Sequence, residues 1–183
     1  MELRAEIQIK SMIKALTDVV LPADDPVNQL AVEQTRHVIG MLSLMAKQLP
    51  IQFQFDRDEL NRLLGCAEAL LADRAAEPGY ANALQQLATT HQAGTRVLEL
   101  SVIDPATLVQ AIHRLRAATS DVVAAVPGTS DPALVGRVER TVMEAAKEQL
   151  LRDRSLLLPQ GWELDPNAVP SIETLLAPLP ESP

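Results

Sequence analysis

A chain of 183 residues with 47% hydrophobic content and a formal charge of −8 is sized for one globular domain burying about 70% of its unfolded surface. That balance excludes general disorder, and it argues against a nucleic-acid partner, which needs clustered cations to displace counterions from phosphate. The single cysteine, Cys66, excludes an internal disulfide and a multi-cysteine metal site.

With two Phe, one Tyr and one Trp, the core must be built from Leu, Val, Ile, Met and Ala, which pack well between helices. In chain order, Met1-Glu2-Leu3-Arg4-Ala5-Glu6 carries acids where a secretory leader has its basic region. No apolar run approaches the ~20 residues that span a bilayer. A cytoplasmic location with no membrane partner is therefore expected. The first helix, expected over 2–21, lines up Ala5, Ile9, Met12, Ile13, Leu16, Val19 and Val20, with Lys10, Lys14 and Asp18 opposite.

Asp25-Pro26 reads as N-cap and first helical position, opening a helix over 26–49. Its apolar residues cover well over half the circumference, so it is either central, with several neighbours, or offers its second face to a dimer partner. Gln34 falls mid-stripe between Leu30, Val38 and Met41. His37 sits at the edge of the same face, four residues from Glu33, as an ordinary helix-surface pair.

Ile51-Gln52-Phe53-Gln54-Phe55 alternates apolar and polar and is expected to be extended, as a lid or as a strand pairing with its own copy. Asp56, Glu59, Phe55 and Leu60 then match a capping box with a hydrophobic staple, opening a helix over 56–74. Cys66 lies mid-helix on its flank, beside Arg62, and reads as a small packing residue.

The helix expected over 79–102 carries Tyr80, Leu84, Leu87, His91, Leu98 and Val102 on one face, with Gly94 and Thr95 beside His91. An unpartnered buried polar group costs about 1–3 kcal/mol, so His91 and Gln34 should each have a partner. They are expected to share a hydrogen bond inside the protein. That network either fixes helix register or forms the polar end of an apolar pocket flanked by Gly94 and Thr95.

Asp104-Pro105 and Asp131-Pro132 open helices over 105–126 and 132–156. His113-Arg114-Leu115-Arg116 within the first reads as a solvated face, and Gln149 and Asp153 interrupt the apolar stripe of the second. From Pro159 onward the chain is Pro-rich but also carries Trp162, Leu164, Val169, Ile172, Leu175 and Leu176, too apolar for a purely solvated tail.

There is no Glu-x-x-His, no His-Glu-x-x-His and no glycine-rich phosphate loop, so no cofactor or metal is expected. The fold class that follows is all-α. Six antiparallel amphipathic helices form one bundle over 1–158, and the tail, 159–183, straps across it or a partner subunit. The leading functional reading is a non-enzymatic interaction protein, homodimeric, using Ile51, Phe53, Phe55 and Trp162 at interfaces. The alternative is a ligand-binding or catalytic bundle with an apolar pocket lined by His91 and Gln34.

Overall fold

A computed structural model describes residues 4–23, 28–73, 78–100 and 102–176. Every regular element among them is helical, and none of these helices is long and apolar enough to cross a membrane.

Helix α1, Ala5–Ala15, runs into a wider π turn over Leu16–Val20, where the Leu21 N–H reaches back to the Leu16 carbonyl, and ends in the short α2, Leu21–Ala23. Helix α3, Gln29–Gln48, is capped by Asn28, whose side chain accepts from the Ala31 N–H at 3.2 Å. The Asp25-Pro26 start signal lies outside the described residues. The other two Asp-Pro signals do open helices. Asp104 accepts from the Thr107 N–H at 2.8 Å and begins α6, Pro105–Ala125. Asp131 accepts from the Ala133 N–H at 2.9 Å before α7, Pro132–Leu157.

The segment 51–55 corrects the sequence reading: it is not extended. Helix α4 spans Gln52–Leu71, so Phe53 and Phe55 are helical and Asp56 lies inside the helix rather than at its cap. The physical reason is register. Phe53 stands two turns before Leu60, and 53, 60, 64, 67 and 71 recur at helical spacing, so the Leu stripe draws the helix back past Asp56. Five alternating residues with no sheet to join cannot compete with that. Helix α5 spans Pro78–Glu99. After α7 the chain takes a 3-10 turn, Leu158–Gln160, closed by Gly161 at φ 71, then a second over Pro166–Ala168, and ends in α8, Ile172–Leu175.

The chain divides into two compact units: Met1–Gln52 with Arg154–Ile172, and Phe53–Asp153 with Glu173–Pro183. The first therefore takes up most of the stretch expected to be a tail. In it α1 packs on α3, and Ile9, Leu44, Val169 and Ile172 are buried. Ser155, also buried, donates its hydroxyl to the Pro170 carbonyl at 2.7 Å. The Gln160 amide reaches the Gly40 carbonyl at 3.3 Å, and Arg154 holds Glu163 through two hydrogen bonds, at 2.8 and 2.9 Å.

The second unit has the larger core. Leu60, Leu70, Leu87, Leu108, Leu115 and Leu134 have no exposed surface at all, each contributing about 1.5–3 kcal/mol by burial. Helices α5 and α6 pack on one another. Gly94 lets α5 come close to α4: a Cβ there would stand 3.2 Å from Leu64 Cδ2.

Candidate functional site

Two neighbouring carboxylates on α4, Asp58 and Glu59, are buried at 5% and 6% exposure. Acidic side chains are almost never buried unless paired, and both are. Asp58 Oδ2 accepts from Arg62 Nε at 2.7 Å, one turn along α4, and from Arg152 Nε of α7 at 2.8 Å. Arg62 Nη2 continues to Gln149 Oε1 at 2.9 Å, and Gln149 Nε2 donates to Asp153 Oδ1 at 2.8 Å. Arg152 Nη2 donates to the Leu175 carbonyl at 3.0 Å, so the C-terminal residues help hold the cluster. Gln149, Arg152 and Asp153 are spaced three and four apart, which puts them on one stripe of α7 continuing from Val138, Val142 and Ala145. The polar interruption of that stripe is the ion cluster itself.

Glu59 differs from its neighbour. Its Oε1 lies 2.5 Å from Arg116 Nη2 of α6, without hydrogen-bond alignment. Burial pushes its carboxyl above the usual range. Arg116 and, less, Arg62 pull it back, while Asp56 and Asp153 add to the rise.

Beside this cluster α4, α6 and α7 line a half-open cleft of about 210 Å³. Leu63, Cys66, Val142 and Ala145 give it apolar walls, and Arg62, Arg116, Glu148 and Gln149 a charged and amide rim. Thr119 also lines it, with a buried hydroxyl that has no hydrogen-bond partner among the described residues. Burial pushes the Cys66 thiol up, which suits a packing residue and not a nucleophile. Among the described residues, no three His, Cys, Asp or Glu side chains are grouped to hold a metal ion.

The residues singled out in the sequence fall elsewhere. His91 on α5 is half-buried, and its carbonyl accepts from the Thr95 hydroxyl at 3.0 Å. Gly94 is buried against Leu64 and Leu60 and borders a small pocket of about 70 Å³, shared with Thr90, Val97, Thr107, Gln110 and Arg114. Gln34 belongs to the other unit and is exposed. Its stripe is a correction to the sequence reading: it faces outward, because α3 turns Val32, Ile39, Leu42 and Ala46 inward instead. Ile51 is half-buried, Phe53 packs on the core of the second unit, Phe55 is buried and Trp162 is 67% exposed.

On the outward face of α3, Leu30, Val38, Met41, Met45 and Leu49 remain 41–67% exposed. Gln34, Val38, Met41 and Met45 follow one another at steps of four, three and four, the spacing of a two-helix seam. Sequence reasoning found this stripe but not its direction. It missed Asp58, Glu59 and Arg152, although the i, i+4 pair Asp58–Arg62 and the polar break at Gln149 were both signals. Compared with protein-family models, curated proteins and solved structures, the chain matches none.

Proposed function

We propose that this protein is a non-enzymatic helical interaction module that pairs with a second copy of itself through the outward face of α3. The observation that carries the reading is the run of Leu30, Val38, Met41, Met45 and Leu49, large apolar side chains left substantially exposed along a 20-residue helix. Such a helix is about 30 Å long, and contiguous exposed apolar surface on that scale marks an interaction site.

A copy of the same chain fits the stripe better than a charged partner. The seam itself carries no charge, so two copies approach without like-charge repulsion. Its one polar member, Gln34, has both a donor and an acceptor and can pair with its own equivalent across a two-fold axis. A lone polar residue in an apolar seam fixes register in this way. Gln34 is thus given a role at an interface rather than in an interior network with His91. Ile51, in the turn before α4, and the helical Phe53 and Phe55 are partly or wholly buried and less available for contacts than Trp162.

Sedimentation velocity tests the reading. The wild-type chain should sediment as a dimer at micromolar concentration, and Met41→Lys should sediment as a monomer with unchanged helical circular dichroism. A wild-type monomer across that concentration range would refute it.

A further inference from the structure

The pocket between α4, α6 and α7 lies in the second unit and plays no part in the pairing of α3, yet it has the features of a binding site. Its volume, about 210 Å³, is below the ~300–1,000 Å³ of drug-sized sites and equals roughly seven waters of liquid. The walls are apolar: Leu63 and Cys66 from α4, Val142 and Ala145 from α7. Two guanidiniums, Arg62 and Arg116, line it beside Glu148, and each is already paired with a carboxylate of the cluster, Arg62 with Asp58 and Arg116 with Glu59.

The arginines are differently placed. Arg62 is 14% exposed and fixed between Asp58 and Gln149. Arg116 is 52% exposed, and its ion pair to Glu59 lacks hydrogen-bond alignment. A held guanidinium and a half-exposed one beside an oily cleft form a complement to one molecular shape: a short hydrocarbon ending in a carboxylate.

We infer that this pocket binds a small aliphatic monocarboxylate, its chain against Leu63, Cys66, Val142 and Ala145 and its carboxylate on Arg116 and Arg62. A phosphate or sulfate monoanion fits less well, because it would leave the apolar walls uncovered. A cationic amphiphile would bring like charge to the two arginines.

The test is a titration of the full-length protein, followed by amide chemical shifts, with hexanoate, hexanol and hexylammonium in parallel. Hexanoate should give saturable shifts clustered around residues 62–66, 116–119 and 142–149, with the other two at least about tenfold weaker, as expected for losing charge-assisted hydrogen bonds. Arg116→Gln should weaken hexanoate about tenfold or more and leave hexanol unchanged. Ala145→Leu, which fills the cleft while keeping every member of the ion cluster, should abolish binding of both, and it decides the matter if Arg116→Gln fails to fold. Equal affinity for hexanoate and hexanol, no saturable shift at millimolar hexanoate, or shifts outside these segments would each overturn the proposal.

Discussion

Asp58 and Arg152 are 94 positions apart in sequence and meet at 2.8 Å, on the same carboxylate oxygen that accepts from Arg62. The three side chains are 5–14% exposed, so the interaction is little screened, and removing the acid strands two guanidiniums in a mostly buried place. Asp58→Ala should therefore lower unfolding stability by about 3–5 kcal/mol, read from the urea midpoint of helical ellipticity. A loss below about 1 kcal/mol would mean that water already screens the cluster like a surface pair.

Glu59 predicts a pH dependence of opposite sign to that of a typical paired acid. Burial raises its folded-state pKa above the ordinary 4.5, so the folded chain holds the proton more tightly than the unfolded chain. Its contribution favours folding at low pH and is lost as pH climbs from about 4.5 through the raised value. The stability of the wild type relative to Glu59→Gln should fall across that window and level off above it. A difference that instead grows with pH would show that Arg116, not burial, dominates.

Glycines separate helix propensity from packing. Gly65 lies exposed within α4, and a Cβ there would meet nothing within 4 Å. Gly65→Ala should therefore stabilise by about 0.5–1 kcal/mol. At Gly94 the added Cβ would sit 3.2 Å from Leu64, so Gly94→Val should cost about 1–3 kcal/mol through overpacking. Thermal melts of the two variants should move in opposite directions.

In the first unit, two neighbouring residues should behave unequally. Ser155 is 3% exposed and bonds the Pro170 carbonyl, so Ser155→Ala should cost about 1 kcal/mol. Arg154, next to it, holds Glu163 at the surface with 43% exposure. Arg154→Ala should change the melt little, and less still in high salt. The pair of melts checks both statements.

Much of the fold was legible because periodicity and caps are local. The apolar stripe of Leu60, Leu64, Ala67 and Leu70 and the caps at Asp104 and Asp131 each depend on residues within a turn or two, and the helices appear where they point. Two errors share one cause. Asp56 carries a sound local start signal, but Phe53 and the Leu stripe outweigh it through packing that no window around residue 56 contains. Gln34 was correctly placed on an apolar stripe, yet periodicity names a face without saying whether that face looks in or out. The ion cluster was least legible of all. Its members, Asp58, Glu59, Arg116 and Arg152, come from three helices, and each alone is an ordinary charged residue on a helix.

The discontinuity of the first unit bears on how a nascent chain behaves. Helices α1 and α3 belong with Arg154–Ile172, but the stretch Phe53–Asp153 must be synthesised in between. At about 5–20 residues per second, a ribosome needs roughly 5–20 s to cross it. During that interval α3 has α1 against it but waits without Gln160, its outward apolar stripe uncovered. A cell making this protein must shelter that helix or let the middle of the polypeptide mature first.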